Sequence, residues 1–510
     1  MDKSIELLRH ISDLLMMCLP APTAMMNQAQ SLKCRQAKLP QNHARGFHCV
    51  KPELLPARES SIKMQMNTSF DPAALGKDFV WGASTSSYQI EGAANEGGRG
   101  ASIWDVFCRT PGKVENGENG DIACDHYHRY PEDVALLREL GVNAYRFSVA
   151  WPRIFPKGRG KINAAGLDFY QRLVDELLKN QIDPWICLYH WDLPQGLQDE
   201  GGWTNRDIAS WFTDYAIAVA ERLGDRVRHW VMLNEPMVIS FLGYFLGVHA
   251  PGLKDRDAFL RAMHHLNLAL GLGLTALRTQ GGDWQLGTVI NFSPGIPEQE
   301  KFADLAEKHD GLLYWSFLDP VLKGEYPEAA REHLEPFIQS GDLEAIRHPL
   351  DFVGLNYYFP ARLKPSAAAP FGFEEVEAPA SQPKTAMSWE IRPESLTDLL
   401  VRMKQRYDLP PLFITENGAA FLDQPDPAGR VNDQDRMQYL AGHLAAVAEA
   451  KTRGVDVRGY FVWSLLDNFE WAYGYWPRFG IVRVEFDTLR RIPKESYDWC
   501  AKLIRACRAA

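Results

Sequence analysis

The sequence predicts a (β/α)₈ barrel, and three observations carry that prediction. Eight short β-rich runs recur along the chain, longer amphipathic segments separate most of them, and the runs are nearly continuous in apolar residues rather than alternating. Strands that are apolar on both faces belong to a parallel sheet covered by helices, and eight such units suffice to close it. A doubly wound open sheet is the alternative architecture for the same pattern.

Taken in chain order, the first predicted strand is FVWGAS at 79–84, followed by the helical pattern PEDVALLREL at 131–140. Next come the strand AYRFSV at 144–149, a helix over 166–179, the strand PWICLYH at 184–190 and a helix over 208–223. The strands WVMLN at 230–234, LGTVINF at 286–292, FVGLNY at 352–357 and LFIT at 412–415 follow. A helix over 433–452 and the strand GYFVWSL at 459–465 close the series. Between Pro360 and Pro393 the chain is dense in Pro, Ala and Gly without helical period, which predicts a long loop over one face of the barrel.

Composition bounds the rest. The 510 residues are 46% hydrophobic and 11% aromatic, ample for a large core. The formal net charge of -10, with Lys and Arg dispersed, offers no basic patch for nucleic acid or anionic lipid, and no apolar run is long enough for a membrane span. A small ligand is therefore the expected partner, and a homo-oligomer remains open. The eight cysteines, Cys108, Cys124, Cys187 and Cys500 among them, form no C-x-x-C pair, which fits a reducing compartment.

Residues 1–68 lack clear periodicity and are rich in Met, Gln, Pro and Lys, so they are expected to form a poorly ordered extension before a catalytic domain at 69–510. Within them, 11–24 faintly resembles a signal-peptide core, but Asp2, Glu6, Asp13 and Pro20 count against it, and Met64 or Met66 is an alternative natural start. A cytoplasmic location is the expectation, with secreted and periplasmic locations left open.

In a barrel the residues closing each strand converge on one mouth, and here they are strongly polar. They include Arg146, His190 with Trp191 and Asp192, Asn234 with Glu235, Asn291, Asn356 with Tyr358, Glu416 with Asn417, and Trp463 followed by Glu470 and Trp471. Glu235 in LNEP and Glu416 in TENG stand in the same setting, each at the tip of an apolar strand and beside Asn. Paired carboxylates across a mouth suit glycoside hydrolysis, one protonating the leaving oxygen while the other attacks the anomeric carbon or activates water. That chemistry requires different protonation states, which a cation such as Arg146 beside one glutamate would provide. Either glutamate alone has an ordinary reading as a helix cap or an arginine partner; the pair among amides and aromatics does not.

The aromatic content favours sugar over nucleotide. Pyranose C–H faces pack on Trp, and their hydroxyls need both donors and acceptors, a set that Gln89, His190, Asn234, Glu470, Trp463 and Trp471 supply. Taken singly, Trp463 and Trp471 also read as core aromatics and His190 as a core histidine. Gly97–Gly100 lacks the Lys-Ser/Thr ending of a phosphate cradle, and His126 and His128, two apart with no third ligand evident, do not make a metal site. No metal or other cofactor is expected.

The chain strongly resembles glycoside hydrolase family 1, the β-glucosidase family, from about Phe79 to Trp499. The carriers are FVWGASTSSYQIEGA, DHYHRYPEDVALLRELGVNAYRFSVAWPRI, LYHWDLPQ, LNEP, GLNYY, ITENG and GYFVWSLLDNFEWAYGYWPRFG. The resemblance implies that Glu235 is the general acid/base and Glu416 the nucleophile of a retaining mechanism, with the carboxyl groups about 5–5.5 Å apart. It further implies that Asn234 binds the sugar 2-hydroxyl, that Tyr358 hydrogen-bonds the nucleophile and that Arg146 is its nearby cation. Gln89, His190 and Glu470 correspond to glycone-binding residues, with Trp471 helping at the hydroxyls and Trp463 under the ring. Trp191, Asn356 and Phe479 are expected in support.

Two positions narrow the expectation. A phospho-glycosidase branch replaces the glutamate matching Glu470, which would repel a phosphate, and a thioglucosidase branch has Gln where this chain has Glu235. The motif MLNEP stands where the family more often has TFNEP, a departure outside the catalytic pair. The resemblance thus implies a metal-independent β-glucosidase acting on β-glucosides or oligosaccharides, with β-galactosides and β-fucosides as further substrates. The alternatives are a transglycosylating enzyme and a sugar-binding pseudoenzyme.

Overall fold

The computed structural model describes residues 71–509, so the expectations for 1–68 lie outside the described residues. Eight parallel strands form a closed barrel. They are β1 (Val80–Ser84), β2 (Ala144–Ser148), β3 (Asp183–Cys187), β4 (His229–Asn234), β5 (Gln285–Asn291), β6 (Phe352–Asn356), β7 (Leu412–Asn417) and β8 (Val457–Trp463). Their spatial order follows the chain, and β8 returns to β1 in parallel register from Val80↔Gly459 to Ser84↔Trp463. That last pairing decides against the open sheet.

The helices between strands are those expected from the amphipathic segments, now His126–Leu140, Ala164–Lys179, Ile208–Leu223 and Gln434–Thr452, together with Arg256–Gln280 and Pro393–Arg406. Helix Arg256–Gln280 begins on Asp255, whose carboxylate accepts from the Ala258 amide, so a free N–H of the first turn is satisfied. The main core lies between barrel and helices, with Trp151, Tyr170, Tyr189 and Trp230 fully buried there.

The barrel interior is filled rather than hollow. Trp185 meets Phe352, Phe413 and Phe461 at ring centroid distances of 5.1, 4.8 and 5.1 Å, and stacks on His229 at 4.1 Å. Glycine makes room for these rings: a Cβ on Gly82 would lie 2.1 Å from the Phe461 ring, and one on Gly459 2.7 Å from Phe413. The polar layer with Arg146, Asn234, Asn356 and Glu416 is built on the same strands.

One expectation needs correction. The segment 360–393 is not a structureless loop, because Ala361–Pro365 pairs in parallel with Gly295–Pro297 and antiparallel with Phe373–Val376. Short strands with a remote partner leave no periodic mark, and the Pro, Ala and Gly around them dominate the local pattern. Among the described residues no helix is long and apolar enough to cross a membrane. The described cysteines Cys108, Cys124, Cys187, Cys500 and Cys507 are all buried and free.

The aromatic layer yields a stability prediction. Trp185→Ala leaves a cavity that the rigid strands cannot close, and should lower unfolding free energy by about 3–5 kcal/mol. Denaturant titration of the purified variant measures this; a loss below about 1 kcal/mol would show that the layer is not close-packed.

Candidate active site

Both carboxylates project from places where the sheet is irregular. The β4–β5 register shifts between Val231 and Asn234, just before Glu235, and β7 shifts against both neighbours between Ile414 and the pair Glu416–Asn417. Such irregularities re-aim side chains that strict alternation would place elsewhere. Glu235 also has φ 52°, and Trp191 and Trp471 have φ 78° and 52°, left-handed values uncommon for residues with a Cβ. Three site residues thus hold costly backbone that the surrounding packing must maintain.

Glu416 is buried and compensated. Arg146 donates Nη1–H to its Oε1 at 2.6 Å, and the Tyr358 hydroxyl donates to its Oε2 at 2.6 Å. The same guanidinium donates through Nη2 to Asn234 Oδ1 at 2.5 Å, so one fully buried cation orients two neighbours. Glu235 is buried too, but its polar contact is the Asn356 amide, 2.5 Å from Oε1. That amide also reaches Asn234 Oδ1 at 3.1 Å, and its orientation is set by the Thr415 hydroxyl, which donates to Asn356 Oδ1 at 2.7 Å.

This asymmetry separates the two acids. Burial raises both; for Glu235 the charge of Glu416 adds to it, and its pKa stands well above the carboxylate range. For Glu416, Arg146 and Tyr358 oppose the burial, so its rise is smaller. Two like charges this enclosed resist ionising together, and the surroundings favour the proton on Glu235 over Glu416.

Around the pair stand the other expected residues. His190 accepts at Nε2 from the Asn234 amide at 3.2 Å, so the ring proton is on Nδ1, which has no partner. Burial, and secondarily Arg146, hold this imidazole well below its usual pKa, hence neutral. Its ring lies nearly parallel to Trp463 and Trp471, at 6.0 and 6.1 Å. Trp191 donates its indole N–H to the Asn234 carbonyl at 3.0 Å and packs on Trp471 at 4.6 Å. Phe479 packs with Trp463 and Tyr358. Glu470 is pushed up to about 8 by burial and then by Glu416, and its Oε2 has no partner. Asn291 Oδ1 is likewise buried without one.

Gln89 is less free than expected, because its amide donates to Asn468 Oδ1 at 3.0 Å and to the Phe469 carbonyl at 2.8 Å while Oε1 accepts from Ser86 at 2.6 Å. Only the second lone pair of Oε1 is left to a ligand. Sequence reasoning passed over Thr415 and Asn468; the first adjoins Glu416 and lies on the β7 irregularity, whereas the second carries no local signal. His126 and His128 serve structure, bonding Asp133 at 2.8 Å and Asp125 at 2.6 Å, and no metal-ligating cluster occurs among the described residues. A separate groove of about 670 Å³ is lined by Arg206, Arg256, Arg261 and His265; Arg206 is paired there with Asp342 and Arg256 with His333.

The family "Glycosyl hydrolase family 1" matches residues 72–508. "Beta-glucosidase A" of Acetivibrio thermocellus is 48% identical over 437 residues, spanning 84% of this chain and 98% of that protein. A "Bifunctional beta-D-glucosidase/beta-D-fucosidase" of Bifidobacterium breve is 44% identical over 454 residues, spanning 84% of this chain and 97% of its own. Among solved structures, a β-glucosidase from Thermotoga maritima in complex with castanospermine superposes with a TM-score of 0.82 at 44% identity, covering 84% of this chain and 98% of that one.

The Glu470 environment predicts a pH-dependent gain in stability on substitution. Between its ordinary 4.5 and about 8 the folded state holds a proton that the unfolded chain has lost, so stability falls as pH rises through that window. Glu470→Gln removes this liability and should raise Tm by about 2 °C or more at pH 8, the gain vanishing towards the acidic end of the window. Calorimetry across the window checks it; a gain independent of pH would contradict the assignment.

Proposed function

The chain belongs to glycosyl hydrolase family 1, and from that premise we propose that it is a retaining β-glucosidase in which Glu416 is the nucleophile and Glu235 the general acid/base. The observation that carries the assignment is the unequal compensation of the two buried glutamates: Arg146 and Tyr358 serve Glu416, and an amide alone serves Glu235.

In this reading the protonated Glu235 donates to the glycosidic oxygen while Glu416 attacks the anomeric carbon, forming a glycosyl ester and releasing the aglycone. As negative charge leaves Glu416, its bonds from Arg146 and Tyr358 weaken, and they re-form when the ester is cleaved. Glu235, now ionised, takes a proton from the incoming water, whose oxygen attacks the same carbon and restores Glu416. Two inversions give net retention. Asn234, held by Arg146 and Asn356, is placed for the 2-hydroxyl, where an interaction strengthens in the transition state.

The unpartnered polar atoms of His190, Glu470 and Asn291 support a polyhydroxylated ligand, since each would be left costly without one. Trp463 and Trp471 supply apolar surface for a pyranose face. The named activity of the Bifidobacterium relative supports acceptance of β-fucosides beside β-glucosides, and β-galactosides are proposed on the same tolerance at C4. Glu470 argues against phosphorylated sugars. The absence of a C-x-x-C pair, with the described cysteines free, supports work in the cytoplasm, and an assembly into homo-oligomers is compatible with the proposal.

Glu416→Ala should abolish turnover of an aryl β-glucoside, and azide should restore it with an inverted, α-configured glucosyl azide as product. Glu235→Ala should cost about 10²–10⁴-fold on alkyl glucosides yet spare 2,4-dinitrophenyl glucoside, whose leaving group needs no proton. In the parent, kcat/KM should fall as pH rises through the Glu235 pKa, and Glu235→Gln should erase that limb. Equal losses on activated and unactivated substrates, or a β-configured azide from Glu416→Ala, would overturn the roles.

A further inference from the structure

Beneath the loop that carries Glu470 lies a set of six charges that the mechanism does not use. Lys494, with a side chain 0% exposed, donates to Asp423 Oδ2 at 2.5 Å and to Asp467 Oδ1 at 2.8 Å. Arg436 pairs with Asp423 at 2.8 Å and with Asp433, and it also donates to the Arg478 carbonyl at 2.5 Å. Arg478 donates to Asp467 Oδ2 at 3.1 Å, and the Gly480 amide to Asp467 Oδ1 at 3.0 Å. Three aspartates face three cations, and formal charge cancels.

The members come from segments far apart in sequence. Asp423 lies on the loop after β7, Asp433 and Arg436 at the start of the following helix, Asp467 on the loop after β8, and Lys494 just beyond the hairpin Val482–Glu485/Arg490–Pro493. Replacing such a buried cluster by apolar residues is often neutral or stabilising, so its presence is weak evidence for stability. What it does supply is a unique register between the loops. Asp467 begins the run Asp467–Asn468–Phe469–Glu470. Asn468 and Phe469 hold the Gln89 amide, and Glu470 ends the run with a free oxygen.

We propose that Lys494, through Asp467, is a positioning residue for sugar recognition, fixing the 467–470 segment so that Gln89 and Glu470 meet the substrate together. Its ammonium joins the loops after β7 and β8, which also approach closely at Gly418, where an added Cβ would lie 1.6 Å from the Trp463 carbonyl oxygen. Movement of the β8 loop would displace Glu470 directly and Gln89 through its two bonds. The inference rests on the proposed glucosidase reading, since it concerns the sugar contacts of that site.

A double-mutant cycle tests it. Lys494→Met should lower kcat/KM on an aryl β-glucoside by about 10-fold or more, while in a Glu470→Ala background, where only the Gln89 contact is left to lose, the same change should cost at least about 3-fold less. Thermal denaturation of each variant establishes that the assayed protein is folded; should Lys494→Met not fold, Asp467→Asn enters the cycle in its place with the same expectation. Equal fold-losses in both backgrounds would show a structural role only, and an undiminished kcat/KM would show none; either overturns the proposal. A parent protein inactive on every β-glucoside would instead reject the glucosidase reading, which separates the two failures.

Discussion

The ion pair between Arg146 and Glu416 is the constraint on which the site depends. A fully buried guanidinium needs an anion, and a buried carboxylate needs a cation; removing either partner of such a pair costs about 3–5 kcal/mol. Here both sit inside the barrel, Arg146 on β2 and Glu416 on β7, at 2.6 Å. Closure of the sheet between β8 and β1 brings those two strands within reach across one interior. Once the pair is made, the second carboxyl in the same enclosure finds the cation taken, and it is cheaper for Glu235 to keep its proton than to ionise beside Glu416. One salt bridge therefore produces two protonation states from two chemically identical side chains.

Everything near the pair serves to keep that inequality in register. Asn234 and Asn356 bridge the bonds around the carboxylates, each oriented by a bond it cannot exchange without loss, to Arg146 and to Thr415 respectively. The irregular registers of β4 and β7 and the left-handed backbone of Glu235 aim the carboxylates at one place. Packing of Trp191 on Trp471 holds the two other strained backbones at the mouth. The aromatic layer around Trp185 fills the barrel interior with packed rings.

Much of this was legible in the sequence because it is local. Apolar runs between amphipathic segments predicted all eight strands, and the polar residues at their tips, Glu235 and Glu416 above all, stood out against the apolar strands that deliver them. What stayed hidden is long-range. Gln89 and Asn468 are separated by 379 positions, and neither residue reveals alone that the other holds it. The ion cluster of Asp423, Asp467 and Lys494 reads in sequence as scattered surface charge, because burial of a charged side chain leaves no periodic trace. Within 360–393, Ala361–Pro365 has a remote partner at Gly295–Pro297, and Phe373–Val376 joins it in a short hairpin whose Pro, Ala and Gly surroundings mask the strand pattern. Strand irregularities at the carboxylates likewise depend on neighbours, so strict alternation gives no hint that Thr415 and Glu416 both serve the site.

The central claim is that Glu416 is the ionised member of the pair and forms the bond to sugar. Mass spectrometry of the intact protein after incubation with a 2-deoxy-2-fluoro-β-glucoside bearing a good leaving group, followed by peptide mapping, tests it directly. The account predicts one stable fluoroglucosyl adduct on the peptide containing Glu416. An adduct on the peptide containing Glu235, or release of the leaving group with no adduct accumulating on Glu416, would contradict it.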